Sequence, residues 1–177
     1  LREQELTKAA QHLGISKLHG LGFHDGQINN QLVWGKLLIN VIEQIDNWQP
    51  DVLITFDHTG WYYHLDHVGI SIATTLAFHQ AKHQPLVLLH SHFQPSSPGE
   101  RKWRYIFRPA SATHQVLVKD VDHKKIALAC HASQDLSVPA YDLDHRQPAT
   151  EIYELAFASK KGVKLMSKHT VFKMIDK

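Results

Sequence analysis

Apolar residues at Leu6, Ala9, Ala10 and Leu13 share the spacing of one helical face, and Gly14 follows them. They predict an amphipathic helix over residues 2–13. A short apolar stretch over 18–23 then meets Asp25-Gly26, a turn signal. Leu37, Leu38, Val41, Ile42, Ile45 and Trp48 form one stripe, so a second helix is expected over 32–48, closed by Pro50. Residues 51–56 read Asp-Val-Leu-Ile-Thr-Phe, nearly all apolar or β-branched. Such a run suits a strand buried on both faces of a parallel sheet. A polar, aromatic loop over 57–63 follows, then a third helix over about 65–82. Helix, buried strand, loop and helix is the α/β rhythm. Ligands in such folds bind beyond the carboxyl ends of the strands, which is where the loop over 57–67 falls.

Farther on, residues 86–92 are a strand candidate, 94–100 a loop, and 103–107 with 115–121 two strands, read as an antiparallel pair. Asp122 is placed as the cap of a helix over 123–132, with Ile126, Ala129, Cys130 and Ser133 on one face. Residues 137–148 look irregular, 149–159 fit a short helix or a strand, and 163–177 are basic and weakly patterned. No repeat or linker divides the chain, so residues 1–177 are read as a single domain.

Composition narrows the function. With 19 Lys and Arg against 17 Asp and Glu, the formal charge of +2 gives no electrostatic case for nucleic acid as the main partner. The single cysteine, Cys130, excludes an intrachain disulfide and a multi-thiolate metal site. No apolar run is long enough to span a bilayer and no signal peptide is visible, so no transmembrane segment is expected and the simplest address is cytoplasmic. There are 15 histidines. Most are read as ordinary surface residues, but Trp61-Tyr62-Tyr63-His64-Leu65-Asp66-His67 sets two histidines around an acid at the mouth of a helix. Residues three apart share a helical face, and a carboxylate beside an imidazole can orient it for a metal.

Five elements in order carry a resemblance. They are Arg2-Glu3-Gln4-Glu5-Leu6 with Leu13-Gly14, then Leu21-Gly22-Phe23-His24-Asp25-Gly26, then Pro50-Asp51-Val52 with its strand. Gly60-Trp61-Tyr62-Tyr63-His64-Leu65-Asp66-His67 and the stretch from Lys124 to Gln134 complete them. In these the chain resembles the PIG-L/LmbE-type zinc-dependent N-deacetylases. The resemblance implies a Rossmann-like three-layer α/β fold with a mostly parallel sheet. It also implies hydrolytic N-deacetylation of a GlcNAc-type sugar or sugar conjugate. It makes His67 a zinc ligand, His64 the histidine that stabilises or protonates the reacting centre, and Asp66 the acid that supports it. Tyr62 would polarise the substrate carbonyl, and Arg2 and Asp25 would contact the sugar. His131 and Gln134 match a later motif with no assigned role.

The chain departs from the family at three loop positions and in one whole segment. Trp61 and Tyr63 stand where glycines are usual, and Leu65 where a proline is. Bulky aromatics there are expected to reshape the pocket mouth. The family's Ala-His-Pro-Asp-Asp-Glu stretch, which supplies the other zinc ligands and the base, does not occur. The expectation is that this stretch and the first strand lie upstream of Leu1. The chain alone should then bind zinc weakly, turn over little, and associate through a bare strand edge, with a homo-oligomer as one outcome. Two other readings stay open: a non-catalytic member that binds a carbohydrate, and a histidine-rich metal-binding protein.

Overall fold

The computed structural model describes residues 1–92, 112–136, 143 and 148–168, and the backbone of 172–174. These form two compact units. The expected loop over 94–100, strand over 103–107 and nearly all of the irregular stretch over 137–148 lie outside the described residues.

One unit holds α1 (Arg2–His12) and α5 (Val121–Ala129), which pack together. Ala9 and Ala10 of the expected apolar face are buried, and Gly14 takes φ +67 beyond the helix end. Such a backbone is open to glycine at little cost. The cap of α5 is Asp120, not Asp122: its carboxylate accepts the His123 N–H at 3.0 Å. Asp122 lies inside the first turn, where an acid favours the helix dipole without capping. The buried residue of α5 is Ala127, while Ile126 is exposed, so the expected face is rotated.

The other unit holds the sheet. Its helices are α2 (Gln31–Trp48), the kinked single turn α3 (Gly60–Tyr63), α4 (Leu65–Gln80) and α6 (Lys160–Lys168). Its strands are β1 (Val52–Phe56), β2 (Val87–His92), β3 (His114–Leu117), β4 (Thr150–Ala158) and β5 (Phe172–Met174), in the order β1-β2-β4-β3-β5. Leu37, Val41 and Ile45 bury the predicted stripe of α2, which packs on α4. Asn30 caps α2 by accepting the Leu32 N–H.

The sheet is not the mostly parallel, Rossmann-like one expected. β1 and β2 are parallel, but β2 pairs with β4, and β3 with β5, in antiparallel register. An apolar run encodes burial, not direction; cross-strand pairing decides direction. The antiparallel register sets Glu154 opposite His90 and Leu155 opposite Leu89. Polar side chains thus meet on one face and apolar ones on the other. β1 is also less buried than a central strand should be, with Ile54 exposed.

Helices cover both faces. Met166 of α6 packs on Val87 and Leu89, with Val52, Tyr153 and Leu155 around them. Gly162 lets α6 approach closely, because a Cβ there would collide with the Leu86 carbonyl. The segment read as weakly patterned therefore contains a packed helix. On the other face, Phe78 of α4 meets Phe157 of β4 edge-on at 5.1 Å.

Candidate active site

The site grows from the end of β1. Phe56 closes the strand, and the Asp57 N–H continues the ladder to the Ser91 carbonyl at 3.1 Å. The Asp57 carboxylate then turns the chain by accepting the N–H and hydroxyl of Thr59 at 2.7 and 2.5 Å. This is the local bonding by which aspartate favours turns. Burial opposes ionisation of Asp57, but His92 and the two Thr59 bonds favour the anion more, and its pKa falls to about 2.

The next four residues include three with positive φ. Gly60, Trp61 and Tyr63 have φ of 61°, 67° and 62°. Trp61, with ψ −62°, adopts the rare γ-turn geometry. For non-glycine residues such conformations cost about 1–3 kcal/mol each. Trp61 and Tyr63, expected to stand where glycines are usual, thus carry aromatic side chains on a backbone that favours glycine. Gly60 itself is obligatory, since a Cβ would lie 2.9 Å from Val68 Cγ2 and 3.0 Å from His67 Cβ.

This turn delivers His64 and His67 to one stack. The His67 ring lies on Phe56 with centroids 3.9 Å apart and planes 5° apart, and His64 stacks beside it at 4.6 Å. His67 Nδ1 is 3.3 Å from the Gly60 carbonyl. A carbonyl only accepts, so Nδ1 carries the proton and Nε2 keeps its lone pair. Burial and the neighbouring His64 lower the pKa of His67, which favours the neutral ring. His64 Nδ1 is buried without a hydrogen-bond partner. The Tyr62 ring stands 5.5 Å from His67 and 6.1 Å from His64, and the residue is half exposed.

Asp66 does something the sequence did not reveal. It is buried in the first turn of α4 and accepts the Gly26 N–H at 2.5 Å, the Ile28 N–H at 3.1 Å and Asn29 Nδ2 at 3.2 Å. It clamps the Asp25-Gly26 turn onto the helix. Gly69 permits the approach, since a Cβ there would meet Ile28 Cγ2 and its carbonyl oxygen at 3.2 Å. The clamp brings Asp25, His64 and Asp66 together, with one donor atom from each within 4.8 Å of the others. Arg2 is an exposed residue opening α1.

Beneath the stack lies a polar bed missing from the sequence reading. Ser71 donates to the Phe56 carbonyl at 2.6 Å and meets His58 Nδ1 at 3.0 Å. Thr75 meets His90 Nε2 at 3.3 Å. Burial and nearby His58 lower the pKa of His90. The buried His92 ring lies between two acids: Nδ1 is 2.9 Å from Asp57 and Nε2 is 3.5 Å from Glu154. Neither nitrogen has the in-line geometry of a hydrogen bond, so these are contacts of charge proximity. Two spacings could have revealed the bed: His67, Ser71 and Thr75 four apart on one helical face, and His90 with His92 two apart on a strand.

The early and late motifs meet each other in the first unit. Glu5 accepts the Ser133 N–H at 3.0 Å and its hydroxyl at 2.6 Å, and the Ser133 side chain is the main reason its pKa falls. His131 and Gln134, left without a role above, line an open cleft with Lys125, Leu128 and Leu136.

Among the described residues no helix is long and apolar enough to cross a membrane. None of the curated proteins matches the chain. Four of the five ordered elements fall inside a match to a family model: over residues 1–78 the chain matches the PIG-L family, described as GlcNAc-PI de-N-acetylase, and the stretch from Lys124 to Gln134 lies beyond that match.

Proposed function

We propose that the protein is a zinc-dependent amidohydrolase that removes the acetyl group from a GlcNAc-type sugar or sugar conjugate. The observation that carries this is the pairing of a histidine whose free Nε2 is fixed by a backbone carbonyl with a second, stacked histidine whose Nδ1 is unpartnered. Metal-ligating histidines characteristically bond their other nitrogen to a carbonyl or carboxylate.

The donors fit zinc in kind. His67 offers Nε2. Both lone pairs of Asp66 Oδ1 are engaged by Ile28 and Asn29, leaving one on Oδ2. A zinc ion with an open position supplies a bound water with a pKa of about 7. In this reading His67 holds the metal, His64 holds or delivers a proton at the reacting centre, and Tyr62 donates to the acetamide oxygen. Asp66 fixes the turn that presents Asp25 to a sugar hydroxyl. Arg2 is assigned to the sugar on the motif alone. A second assignment draws on the donor atoms of Asp25, His64 and Asp66 lying within 4.8 Å of one another: there His64 is itself a ligand.

Acetate release from GlcNAc and a GlcNAc glycoside, with added zinc and with a chelator, tests the proposal. Slow release that needs zinc and disappears in His67→Gln is expected. Sugar binding without release at any zinc concentration would leave the carbohydrate-binding reading in its place.

A further inference from the structure

We infer that Trp61 is a positioning residue: it holds the Gly60–Tyr63 turn in its strained form and thereby fixes which nitrogen of His67 carries the proton. The Trp61 indole N–H donates to the Ser91 carbonyl at 3.0 Å and approaches the Ser91 hydroxyl at 3.2 Å. Its ring meets Phe56 edge-on at 4.8 Å and His67 edge-on at 5.9 Å. Trp61 therefore ties the turn to the end of β2 and sets its ring against both members of the Phe56–His67 stack. The carbonyl that receives His67 Nδ1 belongs to Gly60, the residue just before it.

The geometry leaves that carbonyl little freedom. A Cβ on Gly60 would collide with Val68 and His67, and the Gly60 carbonyl lies against His67 Nδ1 while Trp61, the next residue, holds a positive φ. A residue other than glycine leaves that region unless something holds it. Here the indole hydrogen bond and the two edge contacts hold it. Glycine in the same place would adopt the conformation freely but would not be tied to it. The aromatic residue thus exchanges a flexible turn for a locked one.

The consequence for metal binding rests on the function proposed above; the tautomer assignment does not. Nitrogen-15 spectra of the His67 imidazole test it in chelator-treated protein at about pH 8, assigned by the signal lost in His67→Gln. The parent should show the Nδ1–H form. Trp61→Gly, folded by its amide spectrum, should show a mixture with the Nε2–H form. Trp61→Phe, which keeps a ring and drops the donor, should shift the same way by less. An unchanged Nδ1–H signal in Trp61→Gly overturns the inference. If that variant does not fold, Trp61→Phe decides alone, and an unchanged signal there overturns it. Zinc affinity should fall roughly 10–100-fold in Trp61→Gly, the usual effect of losing a group that orients a ligand. A parent that binds no zinc would remove the proposed function, and the tautomer spectra would still decide this inference.

Discussion

Glu5 and Asp66 are both acids in the first turn of a helix, and both use their carboxylates on a segment far away in sequence. Glu5 takes the backbone and hydroxyl of Ser133, and Asp66 takes two backbone N–H groups and an amide from residues 26–29. As devices they are alike. They differ in what stands beside them. Asp66 shares its surroundings with His64 and Asp25, and His67 follows it by one residue, whereas Glu5 closes a join between α1 and the turn that follows α5. A motif match marks both equally. Neighbouring donors, not the match, separate an acid that builds a site from one that builds only a fold.

The strongest way to break this contrast is through His64. In the active protein, His64→Ala should lower kcat by roughly 10²–10⁴-fold, the scale of acid–base assistance, with KM for the sugar little changed. A rate within a factor of two of the parent would remove His64 from the chemistry. Asp66→Ala comes next. It removes the acceptor of three hydrogen bonds and leaves the Gly26 and Ile28 N–H groups and the Asn29 amide unpaired, so stability should fall by about 2–4 kcal/mol in urea unfolding, and activity should fall with it. If stability held while activity vanished, Asp66 would be acting on the substrate and not as a clamp. Glu5→Gln should lower the melting temperature and leave kcat/KM unchanged. Lost activity at unchanged stability would place Glu5 in the chemistry and dissolve the contrast.

A smaller effect concerns acid. The carboxyl of Asp57 is held at about 2 against an ordinary 3.8. A depressed acid adds stability that is complete above the unfolded value and disappears as pH falls through the folded one. Asp57 therefore contributes fully above about pH 4 and loses its contribution toward pH 2. Asp57→Asn should flatten the acid limb of the stability curve in that window. An unaltered limb would show that the ties to Thr59 and His92 do not favour the anion.

Much of the scaffold could be read from the chain. The stripe of α2, the run of β1 and the start of α4 are local patterns with local causes, and they stand within a residue or two of expectation. Strand direction was not legible, because β4 and β5 find antiparallel partners through contacts that no local pattern carries. The Asp120 cap was misread because two acids two residues apart both satisfy the cap pattern and only the turn geometry chooses. At the site, His64, Asp66 and Asp25 were each legible from the motifs as single candidates. The clamp of Asp66, the tie of Trp61 to Ser91 and the bed of His58, His90 and His92 were not. Each depends on a partner distant in sequence, and no residue type announces which partner it will meet.

The central claim is that His67 holds the metal while His64 works on the reacting centre. Zinc binding, measured side by side by titration in the parent, His67→Gln and His64→Ala, tests it most directly. The account predicts that His67→Gln loses zinc binding and His64→Ala keeps it at the parent's level. Zinc binding kept in His67→Gln, or lost from His64→Ala, would contradict it, and loss from His64→Ala alone would move the metal to the group of Asp25, His64 and Asp66.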